Sequence, residues 1–149
     1  MKLMMRKASV RWKGGSNGGT RVMSTESGVL KQARYSSGIP LKGKFTTDPA
    51  ELIAAAHASS FSLALSNELR LARSAPGNII TNATVTLELL ATGWTIMNIH
   101  LNVIAKLSKV TQGEFIDATV RAKTGCLSIS VSCPGIWPRC LAQRCLPGC

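Results

Sequence analysis

Residues 48–67 read DPAELIAAAHASSFSLALSN, and this stretch sets the architecture of the chain. Asp48 is a good helix N-cap, Pro49 suits the first helical position, and Glu51 completes a capping box three residues after the cap. The Ala, Leu and Ser body that follows meets no breaker before Pro76-Gly77, which predicts a helix over about residues 49–73. Its side chains are mostly small, so another helix could approach its backbone closely. Ser59 and Ser60 fall in mid-helix, and Ser60 is expected to bond back to the carbonyl of Ala56, the usual fate of a helical serine.

Working outward, residues 7–25 read as a β-hairpin. Ala8, Val10 and Trp12 alternate with Ser9, Arg11 and Lys13, and the glycine-rich GGSNGG at 14–19 supplies the turn before a second strand around Thr20–Thr25. No helix start and no GK[ST] follows those glycines, which excludes a phosphate-binding P-loop. Beyond the long helix, two strands flank the Ala91-Thr92-Gly93 turn. Val85, Leu87 and Leu89 alternate with Thr84, Thr86 and Glu88, and Met97, Ile99, Leu101 and Val103 alternate with Asn98, His100 and Asn102. Each pattern predicts a strand with one buried face. A second helix is expected over Gln112–Cys126, with Phe115, Ala118, Ala122 and Cys126 on one face. Strands, helix, strands, helix is not strict βαβ alternation, so the fold class is α+β.

At 149 residues the chain is long enough for one domain with a sizeable core. Only 5% of the residues are aromatic, so that core must be built mainly from aliphatic side chains. The start, MKLMMRKASV, has no continuous apolar stretch behind its charges, and the uncharged stretch Leu52–Asn67 has only 16 residues. A membrane span needs roughly 20 mostly apolar residues. A cytoplasmic protein without membrane attachment is the expectation. The formal charge of +11 is uneven: residues 1–44 hold ten Lys and Arg against Glu26 alone, a local excess of +9. Those basic residues are spaced singly, and only Trp12 and Tyr35 offer stacking, so nucleic acid is not the expected partner.

Thiol chemistry is the strongest candidate activity. Cys126 ends an apolar helix face near Arg121 and Lys123, cations of the kind that favour a reactive thiolate, although an inert core cysteine has the same pattern. His57 and His100 come with no HExxH, CxxC or carboxylate cluster, so neither a metal nor another cofactor is expected. Ser59 and Ser60 lack the strand–turn–helix elbow of a serine hydrolase.

Four segments in this order and spacing resemble the osmotically inducible protein C and organic hydroperoxide resistance (OsmC/Ohr) family. They are AxVxW at 8–12, STESGVLKQARY at 24–35, TTDPAELIAAAHASSFSLALS at 46–66 and RAKTGC at 121–126. The resemblance covers about residues 8–126, and residues 1–126 are taken as the OsmC-like domain. It implies an intertwined homodimer with two long central helices wrapped by antiparallel sheets. It also implies a peroxiredoxin-like oxidoreductase, active in oxidative and osmotic stress, that reduces organic hydroperoxides without metal or haem. In the family a first cysteine attacks the peroxide and becomes a sulfenic acid. A second cysteine condenses with it, and an external dithiol such as a lipoylated protein reduces the disulfide. An arginine and a glutamate flank the first cysteine. By position Glu51 matches the glutamate and Cys126 the second cysteine. Glu51 and Ser60 lie about 900° apart around the helix, so a site using both is more easily built across two chains.

Two departures bear on activity. Ser60 stands where the family has its peroxide-attacking cysteine, and Pro40 stands where it has the arginine, so the two-cysteine cycle is expected to be impaired. Lys42 or Arg34 could replace the arginine's charge but not its planar fork. A third departure is the tail at 127–149, which holds four of the five cysteines: Cys133, Cys140, Cys145 and Cys149. Its abrupt composition is read as a shifted reading frame just past Cys126, against the competing reading of a zinc or disulfide cluster. Either way the sheet is expected to lack its C-terminal strand. The alternative function is a non-catalytic binding module, using an apolar dimer groove or the basic N-terminal region to hold an anionic ligand or nucleic acid.

Overall fold

The computed structural model describes residues 3–14, 20–36, 46–72, 77–107, 110–126 and 139–145, the last segment by its backbone path. The chain divides into two compact units, Met1–Leu52 and Ile53–Cys149.

The first unit is a three-stranded antiparallel sheet of β1 (Ala8–Lys13), β2 (Thr20–Thr25) and β3 (Ala33–Arg34), in the order β1-β2-β3. The register pairs Ala8 with Thr25, Val10 with Met23 and Trp12 with Arg21 on one face. It pairs Ser9 with Ser24, Arg11 with Val22 and Lys13 with Thr20 on the other, and Val22 in turn with Arg34. The guanidinium of Arg21 lies 4.3 Å from the centre of the Trp12 ring, a cation–π contact that occupies this indole. The turn from β2 to β3 uses Gly28 at φ +75 and then Gln32 at φ 51. Gln32 is held in that left-handed conformation by its N–H, which donates to Ser24 Oγ at 3.0 Å. Tyr35 and Thr47 form a parallel bridge that brings the chain to the start of the long helix.

That helix, α1 (Pro49–Leu71), begins as the sequence predicts, with the Glu51 N–H donating to Asp48 Oδ1 at 2.9 Å. The expected reciprocal bond takes a different partner. The Glu51 carboxylate accepts from Thr47 Oγ1 at 2.6 Å, because a hydroxyl one residue before the cap lies within its reach. Residues 37–45, with Pro40 and Lys42, lie outside the described residues, as do 73–76 beyond the helix.

In the second unit α1 buries His57, Phe61, Leu65 and Leu69, spaced four apart on one face. Phe61, Leu65 and Leu69 pack with the inner face of a hairpin made by β4 (Asn78–Leu90) and β5 (Gly93–Lys106), and with α2 (Gln112–Gly125). The core centres on Phe61, Phe115, Leu65, Leu69, Leu101 and Val103, each fully buried and each contributing about 1.5–3 kcal/mol relative to exposure. Ser62 Oγ bonds both the Ala58 carbonyl and Thr81 Oγ1, tying α1 to β4. Thr111 caps α2: its Oγ1 accepts from the Glu114 N–H while the Glu114 carboxylate accepts from the Thr111 N–H.

Two expectations change here. The buried face predicted for Val85, Leu87 and Leu89 does not run the length of β4: Val85 is half-buried, but Leu87 is 38% exposed and Leu89 64%, toward the hairpin tip. Val85 pairs with Ile99, and one extra residue on β5, Met97, shifts the register between Thr86 and Leu87 so that Leu87 and Leu89 pair with Ile96 and Trp94. Trp94, opposite Leu89, is 65% exposed. The sheet also does not end at β5. Residues Arg139–Cys145 form β6, paired in parallel with β5 from His100↔Arg139 to Lys106↔Cys145. A strand reached through a helix returns in the same direction, so the β5–α2–β6 connection makes this pair parallel where antiparallel pairing is expected.

Candidate functional site

Of the four positions singled out by sequence, the structure brings two together. Ser60 Oγ and Cys126 Sγ are 3.0 Å apart, although 66 residues separate them in the chain. On α1, Ser60 lies just beside the buried stripe, one position before Phe61. On the other side α2 runs out at Gly125, and Cys126 takes an extended conformation, φ −68 and ψ 127. It thereby extends the buried face of Phe115, Ala118 and Ala122, and its side chain is 3% exposed and outside any disulfide.

The expected bond from Ser60 to the Ala56 carbonyl is not the one formed. That carbonyl receives the hydroxyl of Ser59 at 3.0 Å, and Ser60 turns to the sulfur. The reason is lateral: Ser59 is exposed, whereas Ser60 is half-buried against Cys126 at the end of α2.

A second tie fixes the same pair of helices. Arg121 Nε donates to Glu68 Oε2 at 2.6 Å, in a pair whose side chains are 52% and 25% exposed. Ser60 meets Cys126 and Glu68 meets Arg121, so α1 and α2 run in opposite senses past one another. Arg121, read from sequence as a cation near Cys126, is therefore engaged by a carboxylate from α1. His57, one turn before Ser60, is buried, and its Nδ1 lies 3.0 Å from the Ile53 carbonyl. Because a carbonyl only accepts, Nδ1 is the donor.

Glu51 belongs to the first unit and is held at the helix start by Thr47; Pro40 lies outside the described residues. Cys133 and Cys149 lie outside them too, while Cys140 and Cys145 fall on β6. Among the described residues no group of three or more His, Cys, Asp and Glu gathers to hold a metal ion, and no helix is long and apolar enough to cross a membrane.

What the site offers chemically is one thiol facing one hydroxyl between two helices. The chain is 37% identical over 121 residues to the peroxiredoxin OsmC of Escherichia coli (strain K12), an alignment covering 81% of this chain and 85% of that protein. It belongs to the OsmC/Ohr family. The peroxiredoxin OsmC of Shigella flexneri aligns with the same identity and coverage. Among solved structures, an OsmC-like protein of unknown function from Vibrio cholerae O1 biovar eltor superposes with a TM-score of 0.80 at 18% identity, over 95% of this chain and 100% of that one. The organic hydroperoxide resistance protein OhrB of Bacillus subtilis superposes with a TM-score of 0.70, again at 18% identity and over 95% and 100% of the two chains. At that identity the likeness shows a shared OsmC-like fold, mixed α+β with two helices. No protein-family model matches the chain.

Proposed function

We propose that this chain is an OsmC-type stress protein built for thiol-dependent reduction of organic hydroperoxides, with the two-cysteine cycle disabled at its first step. The observation that carries this reading is the 3.0 Å contact between Ser60 Oγ and Cys126 Sγ. The family cycle needs two sulfurs at such a contact. The first thiolate attacks the O–O bond, releasing an alcohol and leaving a sulfenic acid. The second thiol attacks that sulfur, releasing water and closing a disulfide, and an external dithiol then takes the disulfide's place. A serine hydroxyl cannot be oxidised to a sulfenate and cannot accept the second sulfur. The names of the curated relatives support the peroxidase reading, and the hydroxyl at position 60 supports the impairment.

The remaining thiol defines the residual chemistry. Attack by Cys126 on a hydroperoxide would give an alcohol and a sulfenic acid with no second cysteine from position 60 to resolve it. Two equivalents of an external thiol would then be needed, the first forming a mixed disulfide with loss of water and the second releasing the Cys126 thiol. With Cys126 only 3% exposed, access makes this route slow. A homodimer would place Glu51 of one copy near the site of the other, as the family arrangement suggests, and Pro40 would leave that site without its arginine.

The test is a peroxidase assay coupled to a lipoylated reductant, run on this chain, on Ser60→Cys and on Ser60→Cys/Pro40→Arg. The expected order is a large gain at the first substitution and a further gain at the second. Turnover by the unmodified chain as fast as by the restored versions would overturn the impairment. Any residual peroxide consumption should disappear in Cys126→Ala.

A further inference from the structure

On one face of the first unit's sheet every charged side chain is basic. Arg11, Lys13 and Arg34 share the face that also carries Ser9, Thr20 and Ser24. All three cations are exposed, and none is in an ion pair among the described residues. The acids of this unit lie elsewhere. Glu26 sits at the open end of the hairpin, where its N–H bonds the Lys7 carbonyl, and Asp48 and Glu51 are engaged at the start of α1. Single spacing of basic residues, which in the linear sequence looks like dilution, becomes concentration once strand alternation sends residues 11 and 13 to one side.

We propose that this face binds the phosphate backbone of double-stranded nucleic acid without reading sequence. Three features select that partner. Arg11 and Lys13 stand about 7 Å apart along one strand, and Arg34 about 10 Å across two strand spacings. The first separation matches neighbouring phosphates on one strand of a duplex. Beside Arg11, a depression of about 230 Å³ is lined by Ser9, Val10, Arg11, Val22, Ser24 and Gln32, and its hydroxyl, guanidinium and amide groups are donors of the kind that hold phosphate oxygens. Finally, Val22 is the single apolar side chain that the pairing places on this face. A protein partner would need an apolar anchor to desolvate, and a single strand would need a stacking aromatic, whereas Trp12 lies on the opposite face beneath Arg21.

The experiment measures binding of a fluorescein-labelled random duplex of about 20 base pairs to the full chain by anisotropy across a salt series. Three phosphate contacts predict a slope of about −2.7 in log K against log salt, so affinity should fall about 40-fold between 50 and 200 mM. The variant Arg11→Gln/Lys13→Gln/Arg34→Gln should lose most of that slope, about one unit per residue removed. The charge-preserving variant Arg11→Lys/Arg34→Lys should keep it, which separates loss of charge from loss of folding. Equal binding by the triple variant would overturn the assignment. So would an equal loss in the control Arg70→Gln/Lys106→Gln, which removes charge from the second unit, and so would polyglutamate competing as well as duplex, which would point to an acidic protein.

Discussion

Replacing Ser60 with cysteine puts two sulfurs where an oxygen and a sulfur now stand 3.0 Å apart. A C–S bond is longer than a C–O bond, which carries the new sulfur toward Cys126, and a small rotation would complete a disulfide of about 2.05 Å. Because 66 residues separate the two positions, the closed loop is long. On the chain-entropy account it removes unfolded-state freedom equivalent to about 4 kcal/mol. In a domain of this size that corresponds to a rise in Tm of about 10–20 °C. The assay is a pair of thermal melts of the oxidised variant with and without reductant. Tryptic mapping accompanies it, since Arg70 and Arg121 place the two positions in separate peptides. If the oxidised protein yields no peptide linking 60 to 126, or if the link lowers Tm, the two side chains do not face each other as described and the resolving role of Cys126 falls with them.

Three further outcomes test the scaffold. Phe61→Ala empties a fully buried position between α1 and the hairpin and should cost about 3–5 kcal/mol in urea unfolding. Thr111→Ala removes the cap of α2, freeing the Glu114 N–H, and should cost about 1 kcal/mol. Arg121→Gln breaks the half-exposed pair with Glu68, and its cost, about 0.5–1 kcal/mol at low salt, should shrink toward zero in high salt.

The elements legible in the sequence are those governed by local rules. Asp48 and Pro49 announce the helix, and the Ala8–Lys13 and Met97–Val103 alternations announce strands, because each depends on neighbours within a few residues. What the sequence hid depends on partners far away. Alternation continues through Val85, Leu87 and Leu89, but how far the core reaches along a strand depends on what packs against it, and Leu89 near the hairpin tip is 64% exposed. The local rule for a helical serine chose the right carbonyl and the wrong serine, since Ser59 and Ser60 differ only in what lies beside the helix. β6 was obscured by a tail whose composition resembles nothing expected there. Ser60 and Cys126 were named through family resemblance, because no periodicity links residues so far apart.

The slip in the hairpin has a consequence for how the tip is aimed. Met97 is the residue without a partner in the register, standing between Asn98, opposite Thr86, and Ile96, opposite Leu87. Loss of that one codon would leave Leu87 opposite Ile96 and Leu89 opposite Trp94, and would remove only the bend and added twist that an extra residue gives its strand. The direction in which this end of the sheet leaves the body is thus inherited as a length, not as a choice of amino acids.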